Sequence, residues 1–171
     1  SKHFQVKPGE MILDIGCGTG KLLHRIQGSF DYFGLDISHR YLSFASKRFK
    51  GRGKFVVMSV DACAFRATGN FDWAVAIGVL HHLDDKQVIA LLEFAKESLR
   101  PHGSFMSIDG CYTTRQSRLA RFLLDHDRGK YIRNEGEYDR LISSVFPKRE
   151  VFHYDNLLRV PYHHVIFSCR K

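Results

Sequence analysis

Short apolar runs alternate with amphipathic stretches through most of this chain, and that alternation restricts the fold more than any single residue does. MILDI (11–15), YFGLD (32–36), KFVVMS (54–59), FDWAVAI (71–77) and GSFMSID (103–109) read as strands. Helical periods lie between them. Asp84 with Gln87 three residues on makes a capping-box start, after which Val88, Leu91, Leu92, Ala95 and Leu99 recur on one face. Pro101 and Gly103 close that helix. Thr113 and Gln116 repeat the start signal ahead of Leu119, Phe122 and Leu123, and a further short helix is expected over 138–145. Strands alternating with helices support an α/β fold, a mostly parallel sheet with crossover helices. After Pro147 the character changes: VFHYDNLL (151–158) and YHHVIFSCR (162–170), joined by the short turn RVP, read as a closing antiparallel hairpin.

A chain of 171 residues, 44% of them hydrophobic, fills one sizeable core, so one domain over 1–171 is expected. No apolar stretch approaches the roughly 20 residues of a membrane span, and the opening SKHFQVKPGE lacks a signal-peptide apolar region. Cys17, Cys63, Cys111 and Cys169 lie far apart without paired metal-ligand spacing. Free thiols, no metal and a cytoplasmic location are the expectations. Lys and Arg number 26 against 18 Asp and Glu, and the resulting net charge of +8 attracts anionic partners of any kind.

The segment LDIGCGTGK (13–21) follows the first apolar run and places three glycines in five residues. Glycines this dense allow a tight turn and let backbone approach a ligand closely. Two nucleotide-binding loops fail on spacing. A P-loop ending at Gly20 and Lys21 would need its first glycine at Ile15 and a Ser or Thr at Leu22. A dinucleotide fingerprint opening at Gly16 and Gly18 would need its third glycine at Lys21. A strand ending in an acid, then G-x-G-x-G, then a helix remains.

That pattern, DIGCGTG, resembles motif I of the class I S-adenosylmethionine-dependent methyltransferases. Four further segments extend the resemblance across roughly residues 8–109. Asp36, 22 positions after Asp14, ends the second strand where the family places an acid against the ribose hydroxyls. Asp61 in SVDAC is similar to the family's acid on the adenine amino group, with the Ala62 backbone N–H beside the ring. FDWAVAIGVLHHL (71–83) and LRPHGSFMSID (99–109) resemble the fourth-strand and L-x-P-G-G segments, His102 standing in place of the first of those glycines. The resemblance implies a Rossmann-like, doubly wound, seven-stranded sheet whose last strand is antiparallel. It implies S-adenosylmethionine as cofactor, S-adenosylhomocysteine as product and no metal. It places Asp14, Gly16, Cys17, Gly18, Gly20, Asp36, Ile37, Asp61, Ala62, Ile77 and Gly78 in the cofactor site. Family members commonly carry one or two lid helices before the first strand, whereas ten residues precede Met11 here, so a trimmed or absent lid is expected.

A sulfonium methyl is already activated, and the protein's work is chiefly to align the acceptor and exclude water. A hydroxyl acceptor gains from a general base, for which His81 and His82, just past the fourth strand, are the candidates. Substrate choice falls to the segment 110–148, where Arg115, Arg118 and Arg121 recur every third residue and Arg133 follows Tyr131. Arg115, Arg118, Tyr131 and Arg133 are the candidate acceptor contacts. A small, anionic molecule or lipid head group is the expected acceptor. RNA is the weaker candidate: only the charge favours it, and the D/N-P-P-Y/F signature of adenine or glutamine N-methylation is absent from IGVLHH (77–82). A non-catalytic, cofactor-binding paralogue is the third reading.

Overall fold

A computed structural model describes residues 3–59, 69–155, 157 and 160–171. The chain runs β1 (Met11–Ile15), α1 (Lys21–Arg25), β2 (Asp31–Asp36), α2 (His39–Arg48), β3 (Lys54–Val57) and β4 (Phe71–Ile77). A single 3-10 turn (Leu80–His82) leads to α3 (Asp85–Ser98), β5 (Leu99–Tyr112), α4 (Arg118–Asp125) and β6 (Arg133–Asn134). The chain closes with α5 (Glu135–Val145), β7 (Arg149–Tyr154) and β8 (His164–Arg170).

Seven strands form a continuous path in the order β3-β2-β1-β4-β5-β8-β7. The pairs β1–β2, β2–β3, β1–β4 and β4–β5 are parallel, and β8 is antiparallel to both β5 and β7. The expected α/β architecture with an antiparallel final strand is therefore present. The expected count of seven is corrected by one: β6, only two residues long, pairs with β5 off the main path. The two-residue run between a loop and a capped helix carries no period for a sequence reading to detect.

Both faces of the sheet are covered, which is why β1 and β4 read as near-continuous apolar runs. One core gathers Leu13, Ala74, Ala76 and Phe105 against Val88, Leu91, Leu92 and Ala95 of α3 and Tyr138, Leu141 and Ile142 of α5. The other packs Ile12, Tyr32, Val75 and Ile166 with Leu23, Leu42 and Phe4. Helix starts follow local chemistry. Asp84 and Gln87 form both arms of a capping box on α3, and Asn134 with Glu137 does the same for α5, three residues ahead of the expected start. Helix α3 ends at Ser98, so Pro101 lies in β5 rather than closing the helix. Ser117, not Thr113, caps α4, its hydroxyl accepting from the Ala120 N–H. No helix among the described residues is long and apolar enough to cross a membrane.

Strand order reverses between β1 and β4, the place where ligands of doubly wound sheets sit, beyond the strands' carboxyl ends. The glycine loop leaves β1 there.

Candidate cofactor and acceptor site

The loop after β1 is fastened before it can meet a ligand. The Gly16 and Cys17 N–H groups both donate to the Leu35 carbonyl of β2, at 2.7 and 2.9 Å. A Cβ on Gly16 would lie 2.5 Å from Val79, and one on Gly20 would lie 2.7 Å from Phe49, so these two glycines are required by close packing. Gly18 differs. Its φ is +54° and nothing stands within 4 Å of where its Cβ would be. It is the glycine that leaves backbone open to a ligand.

Asp36, at the end of β2, holds that open backbone. Its Oδ2 accepts from the Gly18 N–H at 2.8 Å and its Oδ1 from the Ser38 N–H at 2.8 Å. A cavity of about 320 Å³ adjoins, lined by Asp14, Gly16, Cys17, Gly18, Thr19, Lys21, Leu22, Tyr41 and Ile77. Ile77 lines this cavity as the end of β4, and Ile37 is 74% exposed beside Asp36. Gly78 does not line it, and its N–H donates instead to the Ile108 carbonyl at 2.7 Å. Asp61 and Ala62 lie outside the described residues.

Asp14 is buried and accepts from the Tyr32 hydroxyl at 2.5 Å. Burial pushes its carboxyl up to about 7; the Tyr32 hydrogen bond opposes that rise and the nearby charge of Asp36 adds to it. Two carboxylates thus meet at one loop in a chain of net charge +8, an arrangement that suits a cationic ligand. Cys17 is buried, and burial pushes its thiol up beyond reach of the thiolate form. It fills space beneath Gly34. Tyr32, Thr19, Lys21 and Tyr41 were not among the expected site residues; the hydroxyl of Tyr32 reaches Asp14 only because β1 and β2 pair in parallel.

The two histidines have different environments. His81 is buried, with Nδ1 2.7 Å from Asp109 Oδ1 at the end of the fifth strand's apolar run, and that oxygen also accepts from the His81 N–H. Its Nε2 stands 3.5 Å from Asp127, whose other oxygen accepts from the Tyr162 hydroxyl at 3.0 Å. Burial opposes charge on His81, but the hydrogen bond and charge of Asp109, with Asp127, outweigh it and raise the imidazole above its ordinary value. Clamped between two carboxylates, the ring holds its loop in place, and both of its nitrogens face carboxylate oxygens. His82 is exposed at the neighbouring position, its ring 4.2 Å from that of His81. Partial burial and the charge of His81 keep it below the ordinary histidine value, so it is neutral at physiological pH.

Arg133 corrects the expected acceptor set. It is 6% exposed, and all five of its N–H donors are occupied: Asp85 takes two, and the carbonyls of Leu80, Leu83 and Tyr131 take the rest. None is left for a substrate. Arg115 and Arg118 are exposed, as is Tyr131, whose N–H donates to the His81 carbonyl at 2.9 Å.

The model of the methyltransferase-domain family matches residues 12–103. The chain belongs to that family, the class I S-adenosylmethionine-dependent methyltransferases. Among curated relatives it is 30% identical over 108 residues to the cyclopropane-fatty-acyl-phospholipid synthase of Escherichia coli, a match covering 61% of this chain and 27% of that protein. It is 37% identical over 103 residues to the probable tRNA methyltransferase 9B of Bos taurus, covering 58% of this chain and 21% of that one. The chain therefore matches about a quarter of the length of these relatives. Among solved structures, a methyltransferase of Methanosarcina mazei superposes with a TM-score of 0.78 at 20% identity, over 97% of this domain and 94% of the other chain. At that identity the likeness is one of fold.

Proposed function

We propose that this methyltransferase domain moves the methyl group of S-adenosylmethionine to an anionic small molecule or lipid head group, with S-adenosylhomocysteine as product. The observation that carries the reading is the Asp36 carboxylate on the Gly18 N–H beside a cavity lined by Asp14: Asp36 shapes the loop, and Asp14 gives the cavity an ionisable acid. Each oxygen of Asp36 has accepted one backbone hydrogen bond, so each keeps lone-pair capacity for a ribose hydroxyl. The open face of Gly18 admits the ligand where any side chain would intrude. Bound there, the sulfonium supplies a methyl group that needs no further activation. The chain's own residues then position and deprotonate the acceptor. His82, neutral and exposed, is the base in this reading, and His81 fixes the turn that carries it.

On the acceptor side, Arg115 and Arg118 offer planar forks suited to phosphate or carboxylate, with Tyr131 on the loop that packs on His81. Relatives named for a phospholipid and for tRNA share phosphate chemistry. RNA is the second reading, favoured by the net charge of +8 and by the Bos taurus relative.

Transfer of labelled methyl from S-adenosylmethionine to matched phosphorylated and unphosphorylated amines and alcohols, with tRNA in parallel, tests this. Label is expected on the phosphorylated small molecules. Transfer to neutral members alone overturns the acceptor class, and transfer to tRNA alone replaces it with the second reading.

A further inference from the structure

Helix α4 carries an outward apolar pair, Leu119 and Phe122, that the proposed reaction does not explain. Its buried side is Ala120 and Leu124. On a helix advancing about 100° per residue, Phe122 projects roughly opposite that pair, with Arg118 about 40° to one side and Leu119 about 60° to the other. Phe122 is 53% exposed and Leu119 56%. The helix is held in this orientation: the Tyr112 hydroxyl of β5 donates to Asp125 at 2.9 Å, and Arg121 lies over the Tyr112 ring at 4.5 Å. The apolar pair therefore points to solvent because the fold puts it there. Between residues 115 and 131 the sequence has five Arg and Lys residues, Arg115, Arg118, Arg121, Arg128 and Lys130, against Asp125 and Asp127, and the ring of His126 lies 4.0 Å from that of Phe122. Both acids are engaged, Asp125 with Tyr112 and Arg121, Asp127 with Tyr162 and the Gly129 N–H.

We propose that this face of α4 docks on an anionic lipid surface, Phe122 and Leu119 entering the acyl boundary while Arg115 and Arg118 meet the head groups. A short helix with an apolar tip in a basic rim matches such an interface on both counts. A second copy of the chain fits poorly, since a twofold contact through this face would set like charges opposite each other. RNA would match the arginines but leave Leu119 without a stacking or hydrogen-bonding role. Docking here brings head groups beside the loop that packs on His81, two residues beyond the end of the helix. The inference does not depend on turnover, because lipid binding is read without it.

Sedimentation with vesicles of equimolar phosphatidylglycerol and phosphatidylcholine tests the proposal, with pure phosphatidylcholine vesicles alongside. Binding to the anionic vesicles only, weakened by salt, is expected. Phe122→Ser should cost on the order of tenfold in partition, and Arg118→Glu a similar factor. Lys47→Glu, the same charge change on exposed α2, should leave binding level. Equal losses from Lys47→Glu and Arg118→Glu would reduce the effect to net charge and overturn the docking face. So would full vesicle binding by Phe122→Ser, or a dimer that this substitution dissolves.

Discussion

Asp36 and Gly18 are bound to each other, carboxylate Oδ2 to backbone N–H at 2.8 Å, and the same side chain holds the Ser38 N–H through Oδ1. One acid therefore sets the loop after β1 and the start of α2 together. Asp36→Ala removes two charge-assisted hydrogen bonds and should lower stability by about 1.5–3 kcal/mol while also weakening S-adenosylhomocysteine binding. Asp36→Asn keeps one acceptor oxygen and should lose less of both. Denaturant unfolding and calorimetry on the same preparations separate the effects. A destabilised Ala variant with undiminished affinity would move the ribose away from Asp36.

The raised carboxyl of Asp14 makes ligand binding a proton-linked event. Burial lifts it from an ordinary 3.8 to about 7 in the folded protein, so the bound proton favours the fold. Its contribution to stability is full below the unfolded value and is lost as pH climbs from about 4 towards 7. A cationic ligand prefers the ionised acid. Affinity for S-adenosylmethionine should therefore rise with pH through the same window and level off above 7, with proton release on binding below it. Titration in buffers of different ionisation heat measures that release. Tyr32→Phe removes the hydrogen bond that opposes the rise and should move the midpoint higher.

Arg133 ties three segments together, and its loss should appear as instability rather than as a change in substrate. Arg133→Ala takes the guanidinium from the carbonyls of Leu80, Leu83 and Tyr131, of which Leu80 keeps the Leu83 N–H, and should cost about 3 kcal/mol. Arg133→Lys cannot span the same five contacts and should recover little. Thermal unfolding measures both. A stable Ala variant whose Michaelis constant for the acceptor alone had risen would return Arg133 to the acceptor site.

What the sequence made legible is the chemistry that acts over a few residues or through a regular period. Asp84 and Gln87 announced α3 because a capping box is local, whereas the same pairing at Asn134 and Glu137 went unread and α5 begins three residues ahead of its expected start. The glycine loop and Asp36 were legible because two parallel strands of fixed length bring their carboxyl ends together. Contacts made across the fold were not. Arg133 follows Tyr131 in a basic stretch and reads as an acceptor contact, yet apart from the Tyr131 carbonyl its partners lie 48 to 53 positions away and are brought to it by the turn before α3. The same holds for His81: Asp109 is 28 residues on, at the end of the neighbouring strand's apolar run, and only the β4–β5 pairing sets them 2.7 Å apart.

His102 occupies a backbone position suited to glycine. It stands at φ +68°, the sole non-glycine residue with positive φ among those described. It is exposed, so its side chain repays little of the strain. Left-handed backbone costs an ordinary residue about 1–2 kcal/mol, and glycine loses part of that advantage through its freer unfolded chain. His102→Gly should thus stabilise the protein by about 0.5–1 kcal/mol without altering cofactor affinity. Chemical denaturation checks it; a destabilised variant would mean that the imidazole makes a contact worth more than the strain.

His82 is the residue on which the proposed chemistry turns. A base must be unprotonated to act, and partial burial together with the charge of His81 keeps His82 below the ordinary 6.5. Turnover with a hydroxyl acceptor should rise with pH through a midpoint below 6.5 and be level at neutrality. His82→Ala should remove that rise and lower kcat by on the order of a hundredfold, the usual contribution of one general base, while S-adenosylhomocysteine affinity stays the same. His81→Ala should act differently. It removes the ring's bond to Asp109 and leaves the backbone N–H as the one tie from position 81 to that carboxylate, so stability and turnover fall together. If His82→Ala keeps both its rate and its pH profile, the acceptor arrives already deprotonated, and the domain works by alignment and exclusion of water alone.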